Sequence, residues 1–488
     1  SKKSFAAMAM RGLTQFIGDI RNCTNKEEER KRVDKEMANI RKNFKEAQKL
    51  TPYQKKKYVW KMLYIYVLGY EVDFGHMEAL NLITAPGYSE KTVGYLACVL
   101  LLSETNEFLR LIINSCKVDL ASANEEIQGL SLACIANVGG REFAETLTPD
   151  VQRILLSQHT RPTVKKKAAL CMLRLFRKYP DAFGEDGIGG NADLKSKLLD
   201  LLEDTSLGVV TATLSLLLGL VSYDPALWPD AVNKCCKLLA KVNHTNAPKE
   251  FGLEYVYYKT VCPWLQVKVL RLLQYYPAPS TPKVYSILCE VLQKLLSETT
   301  MQKNVNTNNS AHAVVFEVVN YVIHLESNKE LTTAAVTMLG QRLVATNQPN
   351  YRYLALDSMQ RMSNMPEAAE QFKRHQEVVI AALKDNDVSL RRRALDVLYS
   401  MCDGNNSAQI VAELLDYLNG NDFAIREELV LRVAILSERF APNFQWYVDT
   451  ILKLMTLAGN YVSDQVWMRV VQIVTNHEDL QLYAAETC

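Results

Sequence analysis

The sequence predicts an all-α protein folded as a right-handed α-solenoid of helical repeats, and three observations carry that prediction. One weak pattern returns along the chain: an apolar residue, three variable positions, then a small or apolar residue and a Leu-rich run. Its copies open at Tyr58, Val93, Ile127, Val164, Val209, Leu265, Ala311, Tyr351, Leu390, Ile425 and Val466, at spacings of 34 to 56 residues that suit stacked helix pairs. Almost no segment alternates with period two for long enough to demand a sheet. Finally, 488 residues exceed what one compact core spans, so repeats burying their faces against neighbours are the economical solution.

The elements follow in order. Residues 1–5 are a short polar start, and Leu13, Phe16, Ile17 and Ile20 form a three/four stripe that makes residues 10–20 one amphipathic helix, with Arg21 at its end. Residues 27–44 read as a highly charged helix with a thin stripe of Val33, Met37, Ile40 and Phe44, leaving most of its circumference to water or a partner. Thr51, Pro52 and Gln54 supply an N-cap, a first-position proline and a capping box, so a third helix runs over residues 51–68. From there about eleven repeats occupy residues 51–488, several with an acidic turn before the marker and basic residues after it, as in Asp387-Val388-Ser389-Leu390-Arg391-Arg392-Arg393. This resembles the HEAT/armadillo pattern. Residues 184–192 are expected to form a glycine-rich loop, 245–261 an insertion and 299–310 a polar Asn-rich loop. Residues 1–488 are thus expected to be a single solenoid trunk. It ends just after a helix, without a linker or tail, as a truncated piece would.

Composition narrows the function. Apolar and charged contents of 48% and 23% are ordinary for globular chains. The net charge of +2 hides an asymmetry: residues 1–61 hold 17 Lys+Arg against 7 Asp+Glu, while the remainder is net −8. A basic end with an acidic remainder points to oriented docking on a charged surface. Basic residues are not repeated along one groove and no aromatic series interleaves with them, so nucleic acid is not expected as a partner. The eleven cysteines lie in apolar helical contexts with no CxxC pair and read as reduced, mostly buried thiols of a cytosolic protein. Cys235 and Cys236 lack a second cluster, so no metal is expected. Asp73-Phe74-Gly75 matches a kinase magnesium motif without its companion loops, and no Walker A, dinucleotide, HExxH or nucleophile-elbow motif occurs. No enzyme activity and no cofactor are expected. Trp60, Trp264 and Trp446 are assigned to the repeat core, and the runs 165–167 and 391–393 to solvated helix faces.

The exception to ordinary helix grammar is the start of the third helix. Acidic side chains normally favour that end, yet Lys55, Lys56 and Lys57 occupy its first two turns. At 100° per residue Tyr53, Lys57 and Lys61 share a stripe, while Lys55 and Lys56 fan round the terminus. Backbone N–H groups, the dipole and these charges together suit a phosphate.

Several stretches carry a resemblance: Met10-Arg11-Gly12-Leu13, Asp19-Ile20-Arg21-Asn22-Cys23, Ala38-Asn39-Ile40-Arg41, Tyr53-Gln54-Lys55-Lys56-Lys57-Tyr58-Val59, Asp73-Phe74-Gly75-His76-Met77-Glu78-Ala79 and Trp446-Tyr447-Val448-Asp449 among them. With these the chain resembles the adaptin family, and specifically the trunk of α-adaptins of the plasma-membrane clathrin adaptor. The lysine triplet separates this pattern from γ-adaptins. The resemblance implies a scaffold that packs with a second large (β), a medium (μ) and a small (σ) subunit, linking cargo, phosphatidylinositol 4,5-bisphosphate and clathrin at coated pits during endocytosis. It implies an inositide or inositol polyphosphate site on Arg11, Tyr53, Lys55, Lys56, Lys57 and Lys61. The family has a further lysine two residues after Arg41, where this chain has Asn43, with Lys42 displaced by one. Arg21, beside the small subunit, is implied in receiving acidic-dileucine cargo signals. The proline-rich hinge and appendage of the family are missing here. The location implied is the cytosolic face of the plasma membrane. A nuclear transport receptor, or an adaptin of another compartment, are the alternatives; the first would be acidic overall without a +10 end.

Overall fold

The computed structural model describes residues 11–183, 192–325, 328–344, 346–419 and 424–487. The polar start and residues 184–191 of the expected glycine-rich loop lie outside them. The chain divides into two compact units, Ser1–Leu238 and Leu239–Cys488.

In the first unit, α1 (Arg11–Arg21), α2 (Lys26–Phe44) and α3 (Pro52–Val67) are followed by α4 (His76–Ile83), α5 (Tyr88–Leu101), α6 (Phe108–Leu120), α7 (Glu125–Val138), α8 (Arg141–Leu156), α9 (Pro162–Lys178), α10 (Ala192–Asp200) and α11 (Leu207–Tyr223). Helices α3, α5, α7, α9 and α11 pack side by side in chain order, and α4, α6 and α8 form a second row against them. The markers Tyr58, Val93, Ile127, Val164 and Val209 lie in these first-row helices, mostly near their starts. All but Ile127 are buried, so the weak repeat records which residue each helix inserts between its neighbours.

The second unit repeats the scheme. Leu265, Ala311, Tyr351, Leu390 and Val466 fall in the helices Pro263–Leu273, Val305–Leu325, Pro349–Met362, Val388–Met401 and Asp464–Asn476, and Ile425 immediately precedes Arg426–Phe440. Among the described residues the only sheet is a two-stranded hairpin, β1 (Val256–Tyr257) with β2 (Thr260–Val261). It lies inside the expected insertion, which also holds the short helix Ala247–Phe251. No helix among the described residues is long and apolar enough to cross a membrane.

Three expectations change. The Asn-rich stretch 299–310 is a loop only to Asn304, whose Oδ1 accepts from the N–H groups of Asn306 (2.9 Å) and Thr307 (3.2 Å) and starts the helix Val305–Leu325. Asn304 acts as a helix cap, and Asn308 clasps Gln302 in return. Trp264 is not core: it is 41% exposed, edge-on to Tyr257, while Trp60 and Trp446 are half-buried and Trp228 is the fully buried tryptophan. The basic runs are ties more than solvated faces. Lys165 is buried 3.7 Å from Asp204, Arg391 donates to the carbonyls of Asp385 and Asn386, and Arg393 stacks over Tyr353.

The buried charges described in the first unit have partners of opposite sign. Lys91 Nζ lies 2.8 Å from both carboxylate oxygens of Asp119 and 2.6 Å from the Ile83 carbonyl, and Tyr95 Oη donates to Asp119 at 2.7 Å. This network spans α5 and α6 and satisfies a buried ammonium that would otherwise be strongly unfavourable. The Asp73–Gly75 turn is likewise structural. Gly75 takes φ 79°, and a Cβ there would meet Met62 Sδ at 2.7 Å and Phe44 at 2.8 Å.

Candidate functional site

The start of α3 is built as its sequence dictates. Gln54 N–H donates to Thr51 Oγ1 at 3.3 Å and Thr51 N–H donates to Gln54 Oε1 at 2.9 Å, closing the capping box, with Pro52 at the first helical position. No acidic residue occupies the first turn. Tyr53, Lys55, Lys56 and Lys57 are all partly exposed there. Lys57 runs beside α1: its Cδ would lie 3.5 Å from a Cβ at Gly12, and its ammonium sits 4.8 Å over the Tyr58 ring. Burial pushes the Lys57 ammonium down from its ordinary range, and the Lys61 charge adds to that. Among the described residues, the side chains of Tyr53 and Lys55 have no hydrogen-bond or ion-pair partner, and Lys57 has no ion-pair partner.

Two of the lysines are committed elsewhere. Lys61 is buried, with Nζ 2.6 Å from Glu36 Oε1. Glu36 also accepts from Arg32 (2.9 Å) and Asn39 (3.2 Å), and Arg32 reaches on to Asp19 at 3.0 Å while lying 4.7 Å over Phe16. Burial alone would push the Glu36 carboxyl up, yet the hydrogen bonds from Lys61, Arg32 and Asn39 hold it below its ordinary range. Lys56 donates to Glu90 Oε1 at 2.8 Å and to Ser89 Oγ at 2.9 Å, at the start of α5. The structure therefore brings Tyr53, Lys55, Lys56 and Lys57 together at the surface and places Lys61 behind them.

The remaining candidates are separate. Arg11 opens α1, and its side chain lies outside the described residues. Lys42 is exposed on α2, while Arg41 beside it is held by Asp73 at 2.7 Å and stacked on Phe74. Asn43 turns back to its own helix, donating to the Asn39 carbonyl at 2.8 Å. Arg21 is exposed at the last position of α1, and its neighbour Asp19 is engaged by Arg32 instead. Sequence reasoning missed Glu36 and Glu90. Glu36 left a signal: it falls within the apolar stripe of α2, beside Val33 and Ile40, where a lone charge demands a buried partner. Glu90 left none, because its partner is distant in sequence.

Residues 29–487 match the family model described as "Adaptin N terminal region". The chain belongs to the adaptin family. It is 51% identical to the "AP-2 complex subunit alpha-1" of Arabidopsis thaliana over 98% of this chain and 46% of that protein. It is 47% identical to the "AP-2 complex subunit alpha-2" of Dictyostelium discoideum, over 99% and 48%. Against the "AP-1 complex subunit gamma" of the same organism identity falls to 32%, over 97% and 50%, which puts this adaptin on the alpha side of the family. The chain spans about half the length of these curated relatives. A structure titled as a homology model of the AP-3 complex in an intermediate open conformation matches at 20% identity with a TM-score of 0.61, covering 88% of this chain and 74% of that one, and supports the helical-repeat fold.

The Glu36 network yields a pH prediction. Its lowered carboxyl contributes stability that is fully present above the unfolded pKa and is lost as pH falls through the folded one. Denaturant unfolding should thus show a loss of stability on acidification below about pH 4. Glu36→Gln should lack that component and be less stable at pH 7 by about 2–3 kcal/mol, because Lys61 is left buried without its counter-ion. Equal stability of the variant at pH 7 would contradict the assignment.

Proposed function

We propose that this adaptin chain is the non-enzymatic scaffold subunit of a clathrin adaptor acting in endocytosis at the cytosolic face of the plasma membrane, and that the start of α3 binds phosphatidylinositol 4,5-bisphosphate. The observation that carries the inositide reading is the trio Tyr53, Lys55 and Lys57, none of them in an ion pair among the described residues, at a helix N-terminus with no acid in its first turn. A helix start with two ammonium groups outside any ion pair and a phenol donor suits a head group with several phosphate oxygens. Lys56 joins when it leaves Glu90, and Lys61 lends part of its field from behind. The same chemistry would accept a soluble inositol polyphosphate; the lysines' exposure at one end of the first unit favours the lipid.

Assembly with β, μ and σ adaptor subunits is supported by the likeness to AP-2 alpha subunits and by an apolar groove of about 320 Å³ on α1, α3 and α5, lined by Leu13, Ile17, Trp60, Tyr64, Val67 and Leu96 among others, with no polar lining atoms. Arg21, exposed at the end of α1 with Asp19 turned away to Arg32, is the group we assign to the acidic residue of dileucine cargo signals, since its planar guanidinium can take a carboxylate by a two-point contact.

Each lysine near an anionic membrane contributes on the order of 1 kcal/mol, so Lys55→Gln with Lys57→Gln should cost about 2 kcal/mol, roughly thirtyfold in affinity for vesicles containing phosphatidylinositol 4,5-bisphosphate. Thermal stability should be equal or slightly higher, because both lysines oppose the helix dipole. Binding like the parent at physiological ionic strength would sink the reading. In the assembled complex, Arg21→Glu should weaken capture of an acidic-dileucine peptide while leaving vesicle binding within about twofold; unchanged peptide affinity would remove Arg21 from that role.

A further inference from the structure

The lysines at the start of α3 are chemically alike and electrostatically unlike. Lys56 Nζ lies 2.8 Å from Glu90 Oε1 and 2.9 Å from Ser89 Oγ, and the two charged side chains are only 16% and 19% exposed. This is a largely covered pair rather than a loose surface contact. Its geometry depends on Gly87, the residue before α5. A Cβ at position 87 would lie 2.1 Å from Glu90 Oε2, so any larger residue would push the carboxylate aside. Glu90 thus folds back over the first turn of α5, where the helix dipole favours an anion. The Lys56 hydrogen bond in turn holds its carboxyl below the ordinary range. Lys55 and Lys57 have no such carboxylate among the described residues.

We propose that Glu90 is an internal competitor for the anion site of α3: it occupies Lys56 in the unliganded protein, so a phosphorylated head group must displace it, and the site is held to a lower affinity than its charge count implies. The proposal rests on the inositide reading of that site. It follows from the arithmetic of exchange. A phosphate that takes Lys56 gains one ammonium and frees one carboxylate nearby, so the net gain is smaller than at Lys55 or Lys57, where no ion pair is broken. The three adjacent lysines should then contribute unequally, in an order their sequence positions do not predict. Glu90 acts only through Lys56 and is a positioning residue, not a ligand.

The test is a double-mutant cycle on the 488-residue chain, read by co-sedimentation with vesicles of phosphatidylcholine and phosphatidylserine, with and without phosphatidylinositol 4,5-bisphosphate at equal total charge. In the parent, Lys56→Gln should cost less than twofold, against roughly fivefold for Lys55→Gln. Glu90→Gln should raise affinity for the inositide vesicles roughly fivefold, and in that background Lys56→Gln should cost roughly fivefold. Glu90→Gln should do nothing when Lys56 is already Gln. Glu71→Gln, which removes an exposed carboxylate elsewhere in the first unit, should leave binding unchanged and controls for net charge. Adding soluble inositol hexakisphosphate as a competitor separates head-group recognition from adhesion to the bilayer. The proposal is overturned if Glu90→Gln acts equally without Lys56, if Glu71→Gln reproduces it, or if Glu90→Gln lowers thermal stability without raising affinity, as a purely structural tie would. A parent chain with no preference for the inositide vesicles would instead bring down the reading of α3 itself.

Discussion

The buried pair between Lys61 and Glu36 is the interaction on which the N-terminal end of this adaptin depends. It joins α3 to α2 at 2.6 Å, and Glu36 passes the tie to Arg32, which reaches Asp19 on α1. Three helices that share a thin apolar seam of Phe16, Ile20, Val33, Ile40, Phe44 and Met62 are thereby fixed in register. Such a pair adds little net stability over an apolar substitute, but removing one partner is costly. Its use here is positional. With α2 locked onto α3, the first turn of α3 is held at the surface.

That placement lets a locally unfavourable arrangement persist. Lysines at a helix N-terminus oppose the dipole by a few tenths of a kcal/mol up to about 1 kcal/mol each. The capping box and Pro52 offset part of this, and packing of Tyr58, Val59, Met62 and Leu63 in the core cluster offsets the rest. The remaining electropositive end is available for work on an anion. Two carboxylates then divide the lysines by role. Glu36 withdraws Lys61 into the structure, Glu90 holds Lys56 in reserve, and Lys55 and Lys57 stay out of any ion pair among the described residues.

The fold was legible in the sequence because a repeat exposes its own period. A marker such as Val93 or Leu390 must be apolar wherever a helix inserts between neighbours, so burial and pattern coincide. The helix at Thr51 was legible because its cap, proline and Gln54 act within four residues. What stayed hidden depends on partners far apart in the chain. Glu90 meets Lys56 across 34 positions, Asp119 meets Lys91 across 28, and Asn304 becomes a cap only because residues after it join a packed helix. Trp264 misled for a related reason: an apolar residue at a helix start was read as core, but the hairpin beside it supplies Tyr257 as an exposed partner. At the candidate site the residue types were legible, while the division of their charges was not.

A crystal structure of the chain with bound inositol hexakisphosphate tests the central claim most directly. The account predicts phosphate oxygens within about 3 Å of the Lys55 and Lys57 ammonium groups and of the Tyr53 hydroxyl at the start of α3. An anion seated elsewhere, with Lys55 and Lys57 left in solvent, would contradict it.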